Sequence, residues 1–88
     1  MADLRAQFEQ AQKDVNTLTK RPSNEDFLFL YSHFKQANGG DVKGDRPGML
    51  DMVGRAKYDA WAKLKGLKPD QAMQKYVDKV AGLLKSHK

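Results

Sequence analysis

The chain has 88 residues, 40% hydrophobic and 31% charged, with no cysteine. That is one small domain, spanning 1–88, with a thin core and a globular composition, and it has neither disulfides nor thiolate zinc sites. The net charge of +5 is unevenly spread: residues 1–44 hold six Lys/Arg and six Asp/Glu, residues 45–88 ten against five, so the second half calls for an anionic partner such as nucleic acid, membrane headgroups or a phosphorylated small molecule.

The N-terminus, with Asp3 and Arg5 and no apolar block, does not read as a signal peptide. Leu4, Phe8, Ala11, Val15 and Leu18 then recur at helical spacing and predict a first amphipathic helix, with Asp3 as its N-cap. Thr19-Lys20-Arg21-Pro22 should end it, because the residue before a proline is pushed out of the helical region. Ser23 with Asp26 three residues on opens a second helix in the manner of a capping box. Its stripe is Phe27, Leu30, Tyr31, Phe34 and Ala37, bordered by Leu28 and Lys35, and Asn38-Gly39-Gly40 stops it. The longest unbroken apolar run, Phe27–Tyr31, is five residues, against about twenty for a membrane span. No stable membrane insertion is expected.

Residues 38–48 form a loop of eleven residues rich in Gly, Asp and Lys, longer than the roughly two to eight usual between antiparallel neighbours. A long crossover lets successive helices run parallel. The third helix is expected from Leu50-Asp51 to Lys65, with Gly66 just beyond its end. Val53, Ala56, Ala60, Trp61 and Leu64 would be its buried face, Trp61 supplying most of the bulk. Pro69-Asp70 opens the fourth helix, whose stripe is Met73, Tyr76, Val77, Val80 and Leu84 with Ala81 alongside. The chain therefore reads as all-α, a four-helix bundle. Four stripes buried against one another leave no further apolar face, so a monomer is expected.

Chemistry for an enzyme is missing. The histidines are His33, on a helix, and His87, in the terminal tail, and neither sits with a nucleophile or a carboxylate cluster. Gly39-Gly40 and Gly44 are not followed by Gly-Lys-Ser/Thr, so they make no phosphate loop. No catalytic residue, metal or cofactor is expected. What remains is a set of phenols and ammonium groups. Tyr31 and Lys35 are spaced i, i+4 and share a helix face beside Phe and Leu. Lys57 and Tyr58 lie on the third helix and Tyr76 on the fourth. Such a face suits a ligand with an anionic head and a greasy tail, although Tyr and Lys at stripe edges also simply snorkel.

Several blocks are more specific than that face. They are Leu30-Tyr31-Ser32-His33-Phe34-Lys35-Gln36-Ala37, Gly40-Asp41, Arg46-Pro47-Gly48-Met49-Leu50-Asp51 and Ala56-Lys57-Tyr58-Asp59-Ala60-Trp61, then Leu64-Lys65-Gly66 and Ala72-Met73 with Tyr76-Val77. In this order they resemble the acyl-coenzyme A binding protein family, also called diazepam-binding inhibitor, over nearly the whole chain. The resemblance implies a bundle in up-down-down-up order. It also implies an intracellular, cytoplasmic carrier and pool former for medium- to long-chain fatty acyl-CoA, which is the bound ligand rather than a cofactor. Tyr31, Lys35 and Lys57 would hold the adenosine 3′-phosphate, and Tyr76 would add a head-group contact. Phe8, Phe27 and Leu28 would line the acyl channel or flank the adenine, with Tyr58 as an aromatic wall. The sequence departs from the family at Tyr58, where many members carry tryptophan, at Asn16 and Val53, where others carry lysine, and at Gln12, where a small residue is common. The competing reading is a basic helical module for nucleic acid or acidic protein surfaces. Against it, Asp51, Asp59, Asp70 and Asp78 interrupt the basic helices and no recognition helix appears.

Overall fold

Each helix begins where an oxygen can take an amide that has no partner inside the helix. The computed structural model describes residues 3–18, 20 and 22–86. Among them are α1 (Leu4–Val15), α2 (Asn24–Gly39), α3 (Met52–Ala62) and α4 (Pro69–Ser86), and no strand. Asp3 accepts from the Arg5 amide at 3.2 Å, Ser23 Oγ from the Asp26 amide at 3.1 Å and Asp51 from the Gly54 amide at 2.9 Å. Each satisfies an orphan donor. Gly54 is bare for that purpose: a Cβ there would collide with the Asp51 carboxylate. α4 opens on Pro69 at its first position, and Gln71 Oε1 reaches back to the Lys68 amide at 3.1 Å. α2 closes at Gly40, whose φ of 74° favours glycine and whose amide returns to Gln36 O at 3.1 Å.

Two helices are shorter than their patterns suggest. α1 ends at Val15, and the chain turns on through Asn16 and Thr17, whose amides bond Lys13 O at 3.2 Å and Asp14 O at 3.0 Å. The expected stop at Thr19–Pro22 falls partly on Thr19 and Arg21, outside the described residues, as does His87. α3 starts after Asp51, which is consumed as its cap, and ends at Ala62 rather than Lys65. Beyond it, Leu64 and Lys65 bond three residues back, to Trp61 O and Ala62 O at 3.0 and 3.2 Å. That tighter turn carries the chain to Gly66 (φ 89°), whose amide meets Asp41 Oδ1 at 2.8 Å.

Helix direction follows from which ends touch. Trp61 Nε1, late in α3, donates to Gly40 O at 2.8 Å at the end of α2. Lys57, earlier in α3, lies over Phe27 near the start of α2. α2 and α3 therefore run parallel, joined by the long crossover. Arg5 in α1 reaches Asn38 at the far end of α2 (3.3 Å). In α4, Lys79 pairs with Asp26 at the near end of α2 (2.6 Å). Both α1 and α4 thus oppose α2, and the bundle is up-down-down-up.

The core is built on α4. Ala72, Met73, Tyr76, Val80 and Leu83 are buried there against Phe8 and Ala11 of α1 and Leu30 and Ala37 of α2. α3 is a satellite that packs on α2 alone. None of its residues is fully buried, Trp61 is half-buried, and Val53 is 66% exposed rather than part of an interior face. The cause is its light stripe: Ala56 and Ala60 offer little area to bury.

Candidate functional site

α2 supplies one wall of the site because Phe27, Tyr31 and Phe34 repeat every turn or two along its face. α3, running parallel beside it, brings Lys57 onto that face. The Lys57 ammonium lies 5.1 Å from the Tyr31 ring centre and 5.6 Å from that of Phe27, a cation held over two π faces. Lys35, one turn beyond Tyr31, turns toward the Trp61 ring at 5.0 Å. Among the described residues neither lysine has a carboxylate partner: the ion pairs are Arg46–Asp59 and Lys79–Asp26. Half-buried cations resting on rings, with no anion, are placed to receive one.

Two clefts meet at Phe27. One, of about 280 Å³, lies between the end of α1 and the face of α2, walled by Val15, Pro22, Tyr31, Phe34 and Tyr76. The other, about 330 Å³ and mostly apolar, lies between the first turns of α2 and α3, with Leu28, Met52, Val53 and Ala56 as its apolar walls and Asn24 at its edge. Tyr76 forms the floor of the first cleft; it is 5% exposed, and burial pushes its phenol above the ordinary value, so it stays neutral and can donate. Phe8 is fully buried behind it, edge-on to the Tyr76 ring at 5.0 Å, and thus supports the cleft rather than lining it. Leu28 borders the apolar cleft. Tyr58 points away, its hydroxyl donating to Gly44 O at 3.0 Å and tying the crossover loop to α3. The structure thus gathers Phe27, Tyr31, Lys57 and Tyr76, sets Lys35 beside them and Leu28 next door, and places Phe8 and Tyr58 in supporting positions.

Asn16 stands at the mouth of the first cleft, but its amide donates to Gln12 O at 3.2 Å, and Gln12 in turn bonds Phe8 O at 3.4 Å. No cation is among the described residues that line that cleft. Sequence spacing did not mark Pro22 and Phe34 as walls or Trp61 as the seat of Lys35; the i, i+7 pair Phe27 and Phe34 was the one signal available. A buried polar junction behind the site also had no expected role. Gln36, with no exposure, donates to Asp41 Oδ1 (2.9 Å) and Leu67 O (2.8 Å) and accepts from Trp61 Nε1 (3.1 Å). The Gly66 amide and then the Gln36 amide hold the Asp41 carboxyl below its usual range. A further concavity, about 710 Å³, lies on the other side of α2, around Phe29, His33, Leu64 and Lys75, and touches neither Tyr31 nor Lys57. No group of three or more metal-ligating side chains occurs among the described residues.

The family model described as "Acyl CoA binding protein" matches residues 5–80. The chain belongs to that family. Among curated relatives it is 49% identical to acyl-CoA-binding domain-containing protein 6 of Arabidopsis thaliana, over 92% of this chain and 88% of the relative. It is also 49% identical to the acyl-CoA-binding protein homolog of Drosophila melanogaster, over 89% and 91%. Among solved structures it superposes on acyl-CoA-binding protein 2 of Oryza sativa with a TM-score of 0.90 at 40% identity, covering 94% of this chain and 90% of that one. The acyl-CoA-binding protein of Moniliophthora perniciosa gives 0.88, also at 40% identity, over 99% and 84%. In acyl-CoA-binding protein terms, the parallel α2–α3 pair carries the candidate site, and the crossover loop makes that pair possible.

Proposed function

We propose that this protein binds medium- to long-chain fatty acyl-CoA and works as a carrier, with the nucleotide phosphate at Lys57, Tyr31 and Lys35 and the acyl chain in the apolar cleft beside Phe27 and Leu28. The observation that carries this is the Lys57 ammonium on the Tyr31 and Phe27 rings, with no carboxylate partner among the described residues, where two largely apolar clefts join at Phe27, one of them also lined by the Tyr31 and Tyr76 phenols. The head needs cations and phenols; the tail needs the groove next door. It is a binding protein and not an enzyme, as its family is. We place it in the cytoplasm as a monomer.

Magnitudes divide the labour. Burying a methylene is worth ~0.8 kcal/mol, so a chain of about fifteen offers on the order of 12 kcal/mol before losses. Each lysine gains up to about 4 kcal/mol from a phosphate charge at ~4 Å in an effective dielectric near 20, less desolvation. Association takes back roughly 4–15 kcal/mol. The tail therefore supplies most of the affinity and the phosphate cluster most of the selectivity. A bundle this small cannot enclose a long chain in its core, so the chain lies in a surface groove and the nucleotide covers it. Isothermal calorimetry with palmitoyl-CoA, bare CoA and palmitate tests the reading. The thioester should bind far more tightly than either half, and palmitate binding as well as palmitoyl-CoA would refute it.

A further inference from the structure

Four large apolar side chains stand in solvent within five residues: Met49 81% exposed, Leu50 102%, Met52 78% and Val53 66%. This overturns the expectation that four buried stripes would use up the apolar surface. Single exposed apolar residues are ordinary, but a contiguous set marks a contact surface. The set is not on a loose loop. The Asp51 amide bonds Gly48 O at 3.0 Å, closing a turn with Met49 and Leu50 at its corners, and Asp51 then caps α3. Upstream, Asp59 holds Arg46 through two bonds of 2.9 and 2.7 Å, and Tyr58 holds Gly44. α3 thus pins the tip from both sides and presents it outward. Met52 and Val53 also wall the apolar cleft, so tip and cleft form one continuous apolar surface.

We propose that this tip docks on an anionic lipid bilayer, with Met49 and Leu50 entering the headgroup–acyl boundary and the cleft opening at the membrane surface. Charge selects this occupant. Residues 43–59 carry Lys43, Arg46, Arg55 and Lys57 against Asp45, Asp51 and Asp59; Asp59 is taken by Arg46 and Asp51 is occupied as the cap of α3, which leaves Lys43, Arg55 and Lys57 against Asp45. Anionic headgroups attract such a segment, whereas a second copy of a chain of net charge +5 repels it. A few apolar side chains and a small cationic excess give reversible attachment. The proposal rests on the carrier reading for its purpose, since a carrier must collect a lipid and leave, but the docking itself stands alone.

The test is flotation of the 88-residue protein with phosphatidylcholine vesicles with and without phosphatidylserine, for the wild type and a Met49→Ser/Leu50→Ser variant. Both substituted side chains are exposed, so the fold should be unaffected, which a thermal melt checks. The wild type should float with the anionic vesicles, and the variant's partitioning should fall about tenfold or more. Palmitoyl-CoA affinity measured without vesicles should be unchanged. Absent wild-type flotation, or equal flotation of both proteins, overturns the proposal. So does weakened palmitoyl-CoA binding in the variant, which makes the tip a wall of the ligand site. A wild-type dimer in sedimentation that the variant loses overturns it as well, in favour of self-association. If the variant alone loses flotation but the wild type does not bind palmitoyl-CoA, docking stands and the carrier reading falls.

Discussion

The role proposed for Lys57 lies in ligand binding rather than in folding. Its ammonium has ring faces beneath it and no ion pair among the described residues, so removing it breaks no ion pair seen there. A hydrogen-bonded contact to a charged group is worth about 1.5–3 kcal/mol. Lys57→Ala should therefore weaken palmitoyl-CoA binding ~10- to 100-fold with little change in melting temperature, as calorimetry and a thermal melt would show. Unchanged affinity would remove Lys57 from the head-group assignment. That Tyr31 and Lys35 share a face was legible from their spacing. The arrival of Lys57 over Tyr31 depends on how two helices pack, which spacing does not encode, and only the family resemblance named it. The turn of Lys35 toward Trp61 was not legible at all, because a long side chain chooses among several surfaces by tertiary context. His33 is a separate matter at this scale. Its ring is buried and stacked on Phe29 at 4.0 Å, and Nδ1 carries a proton donated to Phe29 O at 2.7 Å. Burial pushes its pKa below 6.5; the Phe29 bond opposes this and Lys75 adds to it. The unfolded chain therefore takes up the proton first. The contribution to stability is complete above pH 6.5 and is lost as the pH falls through the folded-state value. Urea midpoints across pH should show this decline, and His33→Gln should flatten it. Asp41 and Asp59, whose carboxyls are held below 3.8, act only at lower pH.

Among the elements, the parallel helix pair is secured at one end by a junction of side chains from three segments. Gln36, Asp41 and Trp61 bond one another and the backbone at Gly40, Gly66 and Leu67, and no buried side-chain polar atom among the described residues lacks a partner. Fully satisfied networks of this kind fix one geometry, and a single missing donor is costly. Trp61→Phe keeps the ring but leaves Gln36 Oε1 and Gly40 O without their donor. It should destabilise the fold by about 1–3 kcal/mol, read as a shift in urea midpoint at constant slope. A shift of zero would mean that water replaces the indole. The Arg46–Asp59 pair, with both side chains more than two-fifths exposed, belongs to the class worth about 0.2–1 kcal/mol; it places the crossover loop more than it stabilises it. The four helices, their caps at Asp3 and Ser23 and the stop at Gly40 were legible, because capping and periodicity are local. The bounds of α3 and its satellite position were not, since they depend on how little Ala56 and Ala60 bury and on where the Gly66 turn must go.

The whole molecule carries its positive excess in residues 45–88, which is also what a nucleic-acid module would show, and salt separates the two. A protein that meets DNA phosphates through six to ten cations loses roughly 10³–10⁵ in affinity between about 50 and about 200 mM salt. Here two half-buried lysines, Lys35 and Lys57, face the proposed head group, and the apolar cleft beside them holds no charge to screen. The rest of the excess is scattered: Lys79 is paired with Asp26 and Arg46 with Asp59, and Lys63 and Lys75 lie at the other concavity. Two contacts screened over the same range cost about tenfold at most. Palmitoyl-CoA titrated at the two salt concentrations should therefore lose no more than that. The tail's burial does not weaken with salt, and kosmotropic anions strengthen it. A loss of a thousandfold or more would mean that phosphate charge, and not the chain in its groove, holds the ligand.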